Sequence, residues 1–324
     1  MPVQPEQPDH AAPIVSSPNG RIALVTAGDE QYFYLIDNLL ASLQAAFLPS
    51  EYRVCVLDLG FSAAQRANLD SRVDTIVTPG WHIDFPLRST SPSWFRAMVS
   101  RPFLPDIFPD FHTYLWLDAD TWVQRGDCLV DMVSQSSDGR IALVFEVFGP
   151  PLTVKLQFPN GKIYAGEISE KSVRISLERC YTICFGPDAA RHAAGPVTNS
   201  GVFAIKNNSP VWTVWQDYLT RALRNMKVFE KLAEQQSLNL AFIEGAIQVA
   251  PMPFRCNWNI TTCRPLIDLN RRVLIDPADG NLPLGVVHLN DLKANRSISL
   301  RATSGTMVNV PLQFRDFHAQ FPSV

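Results

Sequence analysis

The 324-residue chain lacks the marks of several common protein classes. Its formal net charge is −3 and it has no run of basic residues, so it carries no electrostatic footprint for a nucleic acid. No apolar run reaches the length that spans a bilayer, and no apolar segment follows a basic start as in a secretory signal. We therefore expect a cytoplasmic protein with neither a nucleic-acid partner nor a transmembrane segment.

Cysteine and glycine patterns disfavour further kinds of site. None of the six cysteines belongs to a Cys-x-x-Cys pair, which argues against a structural zinc site and predicts buried free thiols. The glycine-rich signatures of dinucleotide sites and of ATP-binding phosphate loops are also missing, because Gly28 stands alone and no Gly-Lys-Ser/Thr occurs. NAD-dependent and ATP-hydrolysing enzymes are therefore disfavoured.

After a proline-rich start, the chain shows an alternation of strand and helix patterns. Residues 1–20 contain five prolines and few apolar groups, which predicts a disordered segment. From residue 21, short apolar runs alternate with helical stripes, as in a parallel sheet covered by helices. The sequence predicts strands at 21–26, 52–59, 73–77, 113–117, 141–147, 197–206, 273–275 and 284–289, and helices at 34–47, 63–69, 94–108, 210–229 and 233–242.

This pattern predicts a single α/β domain over residues 21–324. Its first half, residues 21–150, looks like a nucleotide-binding layer. The first helix buries one apolar stripe, which ends at Phe47. Residues 150–196 mix glycine, proline and short strand-like pieces, and they predict no clear element.

Two carboxylates follow the predicted strand at 113–117. Asp118 and Asp120 are two residues apart, which places both side chains on the same side of an extended backbone. Asp29 follows the first strand in the same way, and ligands of open α/β sheets bind beyond the carboxyl ends of the strands. Neighbouring hard oxygen ligands suit Mg²⁺ or Mn²⁺, and such a cation can carry a diphosphate. The pair therefore indicates an enzyme that uses a nucleotide-activated substrate.

In their order along the chain, the motifs resemble those of GT-A glycosyltransferases, specifically family 8, the retaining galactosyltransferase and glycogenin group. The resemblance lies in six short blocks, at 23–29, 101–105, 116–120, 198–202, 234–239 and 288–293. It implies a GT-A (Rossmann-like) mixed sheet with helices on both faces, in which residues 21–150 form the nucleotide-binding half and residues 151–324 the half for the acceptor and the donor sugar. It also implies a metal-dependent hexosyltransferase that moves a sugar from a nucleotide-sugar, here a UDP-sugar, to an acceptor hydroxyl with retention. The acceptor would be a glycan, a lipid-linked group or a small molecule.

The resemblance assigns residues to the nucleotide. The first block would hold uracil and ribose through Thr26, Ala27 and Asp29, with a tyrosine stacked on the base. Tyr32 is the candidate for that tyrosine, and Tyr34 is its rival. An arginine before the acidic pair contacts the donor in the family; Arg101 has the matching spacing, and Arg96 is the nearby alternative.

The resemblance also assigns a metal site and a diphosphate contact. Asp118, Asp120 and His288 would bind Mn²⁺ or Mg²⁺, and imidazole suits Mn²⁺ better. Ala119, between the two aspartates, would contact the donor. The lysine that grips the diphosphate in the family stands one residue early in this chain, at Lys293.

The reacting sugar would lie beside the last group of matched residues. Asn199, Glu234 and Gln235 take the catalytic positions, and Gly201 would let a substrate approach the backbone closely. Gln236 stands where the family has a carboxylate. The sequence offers no obvious carboxylate nucleophile, so we expect same-face attack assisted by the leaving diphosphate.

Two other functions stay open on sequence grounds. A sugar-phosphate nucleotidyltransferase also needs a nucleotide, a metal and an α/β sheet, but it normally has a glycine-rich basic loop after its first strand. The loop at residues 27–30 lacks that basic character. A non-catalytic nucleotide-sugar-binding protein would be compatible with the altered 234–236 block and the shifted lysine.

Overall fold

The computed structural model of the chain describes residues 21–136, 139–157, 163–280 and 282–322. The N-terminal segment, for which the sequence predicts disorder, lies outside the described residues. In chain order the strands are β1 (Ile22–Gly28), β2 (Tyr52–Asp58), β3 (Thr75–Val77), β4 (Thr113–Leu117), β5 (Thr121–Val123), β6 (Ile141–Phe145), β7 (Leu152–Gln157), β8 (Ile163–Ile168), β9 (Thr198–Lys206), β10 (Val249–Met252), β11 (Trp258–Asn259), β12 (Leu266–Asp268), β13 (Val273–Ile275), β14 (Val286–His288), β15 (Ser297–Arg301) and β16 (Met307–Pro311).

The α-helices are α1 (Phe33–Ala45), α2 (Ala63–Asp70), α3 (Phe95–Ser100), α4 (Leu104–Ile107), α5 (Asp127–Gln135), α6 (Glu170–Phe185), α7 (Val211–Asn225), α8 (Ala233–Ile243) and α9 (Phe314–Gln320). Short 3₁₀ turns join several of them, including one at Arg101–Phe103 and one at Phe254–Asn257.

A seven-stranded mixed sheet forms the centre of the described structure, in the order β10-β6-β9-β4-β1-β2-β3. β9 runs antiparallel to both of its neighbours, β4 and β6, and the other pairs are parallel. Strands from both predicted halves of the chain therefore share one sheet. The predicted α/β class with a mixed sheet is confirmed.

Both faces of this sheet are covered by helices, as predicted. In β1, Ala23 and Val25 belong to a core that includes residues of α3, α4, α6, α7 and α8. The alternate residues Ile22 and Leu24 belong to a second core with α1, α2 and α5. Side chains of a strand point alternately to opposite faces, so one apolar run supplies two cores.

A smaller sheet lies beside the main one and has the order β11-β14-β5. β14 pairs antiparallel with β5, and this register places His288 opposite Thr121, the residue after Asp120. A third apolar core, which includes Trp122, Phe314 and Phe317, supports this sheet against α9.

Two predicted helix ends are wrong. α1 ends at Ala45, and Phe47 is not part of its buried stripe: its exposed fraction is 84%, and its φ of 49° is a left-handed value of the kind that ends helices. The helix predicted to reach residue 229 ends at Asn225, because Met226 has an extended backbone.

The segment at 150–196 contains a long helix that the sequence pattern did not indicate. Ser169 caps α6 by accepting a hydrogen bond from the backbone N–H of Ser172. The first two turns of α6 contain no buried residue, and its buried residues, among them Leu177, Cys180 and Tyr181, all come after them. The polar first half explains why no apolar stripe was visible.

The six cysteines are free, and five of them are buried, in agreement with the expectation of unpaired interior thiols. Within the described residues, no helix combines the length and the apolar character needed to cross a membrane.

Candidate functional site

The candidate site lies at the edge of the main sheet where β1, β4 and β6 end. β9 is antiparallel to its neighbours, so its first residues reach this same edge. Asp118 follows β4, and Asn199 is near the start of β9. Both residues therefore lie at this edge of the sheet. Asp118 donates its backbone N–H to the carbonyl of Gly201 at 2.8 Å, which ties the two segments together.

Asp118, Asp120 and His288 form a cluster in which possible metal-ligand atoms all lie within 4.8 Å of one another. His288 Nε2 is 3.4 Å from Asp120 Oδ1 and 4.0 Å from Asp118 Oδ2. Asp120 and His288 are buried, whereas Asp118 is partly exposed. The predicted metal residues are thus brought together from two different sheets.

The oppositely charged groups in and beside this cluster stabilise one another in their ionised forms. Burial works to raise the pKa of Asp120, but Lys293 and His288 outweigh it and hold that pKa well below its usual range. Lys293 Nζ lies 2.9 Å from Asp120 Oδ2. Burial alone would lower the pKa values of His288 and Lys293. The negative charge of Asp120 outweighs burial, so both pKa values are raised.

Asn257 fixes the orientation of the His288 ring. Its Oδ1 lies 2.9 Å from His288 Nδ1 and accepts a hydrogen bond in the tautomer that carries hydrogen on Nδ1. In that tautomer the lone pair of Nε2 faces the two aspartates. The imidazole can therefore serve as a nitrogen ligand.

Gly201 lies against this cluster and has no room for a side chain. A Cβ at this position would be 2.4 Å from His288 Cε1 and 2.9 Å from Asp118 Oδ2. The space over the backbone of Gly201 is filled by the predicted metal ligands. Because Gly201 has no side chain, His288 and Asp118 can lie close to its backbone.

Arg101 is buried at the same edge, with an exposed fraction of 4%. It forms ion pairs with Asp118 and with Glu234, the latter at 2.6 Å, and its Nη1 also donates to Ser200 Oγ at 2.9 Å. The rival residue Arg96 lies elsewhere and binds the carbonyl oxygens of Leu59, Pro79 and Ser93. Of the two arginines, only Arg101 contacts the acidic pair.

The first turn of α8 supplies the remaining polar groups. Glu234 is fully buried; burial raises its pKa to about 7, while Arg101 works in the opposite direction. The side chain of Gln235 accepts from the backbone N–H of Ser200 at 3.4 Å. Gln236 is fully buried, and neither of its amide atoms has a hydrogen-bond partner among the described residues.

The loop after β1 reaches the site through Tyr32. Lys293 Nζ lies 5.8 Å from the centre of the Tyr32 ring, within the range of a cation–π contact. Asp29 accepts a hydrogen bond from the backbone N–H of Tyr32 at 3.1 Å, which fixes this turn. Thr26 and Ala27 are buried at the end of β1.

Lys293 also lines a cavity of about 430 Å³. Its lining residues include Tyr34, Arg296, Gln313 and Asp316. Tyr34 donates through its hydroxyl to the carbonyl oxygen of Lys293 at 3.0 Å, so it does not occupy the same place as Tyr32. Ala119, between the two aspartates, is half-buried and packs on two of the apolar cores.

Glu146 is a site residue that the sequence analysis did not identify. Its carboxylate accepts from the side-chain amides of Asn199 and Asn259 and from the hydroxyl of Thr262, the last two at 3.0 and 3.3 Å. The strand was predicted to extend to residue 147, but β6 ends at Phe145. With the correct end, Glu146 is the first residue beyond the strand, as Asp118 is beyond β4.

No family model matches the chain, and no curated protein sequence matches it. Among solved structures, it is similar to the galactosyltransferase LgtC in complex with donor and acceptor sugar analogues, with a TM-score of 0.47 and 18% identity over 82% of this chain and 86% of that chain. It is also similar to mouse xyloside xylosyltransferase 1 (TM-score 0.48, 12% identity, 83% and 96%) and to the glycosyltransferase GlyE of Streptococcus pneumoniae TIGR4 (TM-score 0.44, 18% identity, 83% and 54%).

Proposed function

We propose that the chain is a metal-dependent glycosyltransferase of the GT-A type that transfers a sugar from a UDP-sugar to an acceptor hydroxyl. The observation that carries the proposal is the cluster of Asp118, Asp120 and His288 at the carboxyl edge of the sheet. Lys293 and Arg101 add two positive charges beside it. An anionic donor needs such an environment.

The residues of the cluster fit a divalent cation. Two carboxylates and one imidazole are a mixed oxygen and nitrogen donor set, which suits Mn²⁺ better than Mg²⁺. The hydrogen bond from His288 Nδ1 to Asn257 leaves Nε2 free to act as a ligand. When bound, the cation would act as a Lewis acid that neutralises the departing nucleoside diphosphate.

Lys293 has a second role in this proposal. In the structure its ammonium group pairs with Asp120. Once Asp120 serves as a metal ligand, the ammonium can turn to the diphosphate oxygens and stabilise the charge that develops on them. Tyr32 lies beside Lys293, in a position to pack against the base, and Asp29 holds the turn that carries it.

The donor sugar would bind between the start of β9 and the first turn of α8. Asn199, Gln235 and Glu146 offer polar groups there, and water exclusion protects the donor from hydrolysis. Glu146 is already engaged by amide donors, which favours a binding role over a nucleophilic one. The family resemblance implies retention, and with Glu146 engaged we propose that it proceeds by same-face attack; an NMR analysis that shows the inverted anomer would refute this part.

The test is to measure nucleotide release from a panel of UDP-sugars with and without Mn²⁺. The wild-type chain should release UDP only with Mn²⁺, and Asp120→Asn should lose this activity. Asp217→Asn, an exposed change on α7, is the matched control and should retain it. Release of diphosphate from a nucleoside triphosphate and a sugar phosphate would instead indicate a nucleotidyltransferase, and binding without turnover would indicate a non-catalytic protein.

A further inference from the structure

Asp118 has two oxygens with different surroundings. Oδ1 accepts a hydrogen bond from the indole Nε1–H of Trp116 at 2.8 Å and also pairs with Nη2 of Arg101. Oδ2 faces His288 and lies close to the backbone of Gly201. One oxygen is therefore held by two N–H donors, while the other is turned to the cluster.

The strand explains how Trp116 reaches this position. Trp116 and Asp118 are two residues apart at the end of β4, so their side chains lie on the same side. The indole is buried, stacks on Phe203 with ring centres 6.3 Å apart, and has the guanidinium of Arg101 4.9 Å from its centre. The ring cannot turn away without breaking these contacts.

We propose that Trp116 is a positioning residue of the metal site: its indole N–H, together with Arg101, occupies Oδ1 so that Asp118 presents only Oδ2 to the cation. A carboxylate oxygen has two lone-pair directions, and two donors use both. Asp118 would then bind through one oxygen and leave coordination positions for the diphosphate. This inference rests on the proposed function in one respect, because it takes the cluster as a cation site.

The chain contains a matched control for this role. Trp212 is also buried, and its Nε1–H donates to the carbonyl oxygen of Lys206 at 2.9 Å. It lies on α7, and no hydrogen bond or ion pair joins it to the acidic pair among the described residues. Trp→Phe at either position removes one buried indole hydrogen bond and part of one ring.

The experiment compares Mn²⁺ affinity by the electron paramagnetic resonance signal of free Mn²⁺, in the full chain without substrate. Trp116→Phe should weaken Mn²⁺ binding by about tenfold, the lower range for loss of a group that orients a ligand. Trp212→Phe should stay within about twofold of the wild type. Equal affinities in the two variants would overturn the inference and leave the proposed function intact, whereas a wild-type chain that does not bind Mn²⁺ would contradict the proposed function itself.

A crystal structure of the wild-type chain with Mn²⁺ tests the same inference without any variant, including the case in which Trp116→Phe does not fold. We expect one Asp118 oxygen on the metal and the other still hydrogen-bonded to Trp116 Nε1. Two Asp118 oxygens on the metal, or a broken indole hydrogen bond, would overturn it.

Discussion

At the scale of single residues, the tightest packing in the site is at Gly201. The ring of His288 and the carboxylate of Asp118 lie where a side chain would stand. The sequence predicts that a substrate approaches the backbone of Gly201 closely, whereas in the structure His288 and Asp118 lie against it. The difference arises because His288 comes from a separate sheet, whose register a single sequence does not reveal.

Gly201→Ala should weaken Mn²⁺ binding by at least tenfold, because the added methyl group would displace His288 or Asp118. Titration with Mn²⁺ monitored by electron paramagnetic resonance measures this. Gly80→Ala is the control, since a Cβ there meets nothing within 4 Å. A Gly201→Ala chain that binds Mn²⁺ as tightly as the wild type would show that the three ligands do not form the site.

Glu234 gives a pH-dependent stability. Its pKa in the folded chain is about 7 against an ordinary value of 4.5. Between these values the folded state binds the extra proton, so the contribution of Glu234 to stability is lost as the pH rises from about 4.5 to about 7. The difference between these two pKa values corresponds to about 3 kcal/mol of unfolding free energy.

The measurement is urea unfolding of the wild type and Glu234→Gln at pH 5 and pH 8. Relative to the variant, the wild type should lose roughly 2–3 kcal/mol of unfolding free energy between the two pH values. A difference that does not change with pH would mean that Arg101 keeps Glu234 ionised throughout.

At the scale of elements, the site depends on the small sheet as much as on the large one. β14 carries His288, and its neighbour β5 is held by Trp122, which packs on Phe317 of α9 with ring centres 5.2 Å apart. The end of the chain thus supports one of the metal ligands.

Phe317→Ala should lower the free energy of unfolding by about 3 kcal/mol, because it removes a buried aromatic ring from this core. Urea unfolding gives the value. Met307→Ala on β16, whose side chain is 64% exposed, should change stability by less than about 0.5 kcal/mol. Equal effects of the two substitutions would contradict the packing of α9 on β5.

The elements that could be predicted from the sequence are those with a continuous apolar run or a clear helical stripe. The strands β1, β4 and β9 are buried along almost their whole length, and α1 buries one apolar stripe, so these four elements appear near their predicted places. The helix α6 could not be predicted, since its first half is polar, and Glu146 was hidden by a strand predicted two residues too long. Strand ends depend on tertiary contacts, which a local pattern does not contain.

At the scale of the whole molecule, the net charge is −3, and the candidate site brings two cationic side chains next to its carboxylates at one edge of the sheet. Lys293 and Arg101 are both paired with aspartates of the site in the structure. These ion pairs hold the two cationic side chains at the site until an anionic ligand binds. We therefore predict that metal binding and nucleotide binding depend on each other.

The most direct test is a calorimetric titration of UDP into the wild-type chain with and without Mn²⁺. We predict that UDP binds at least about tenfold more tightly when Mn²⁺ is present, a coupling of the size typical of two ligands that share a site. The same UDP affinity in both titrations would contradict the claim that Asp118, Asp120 and His288 hold a cation for the diphosphate.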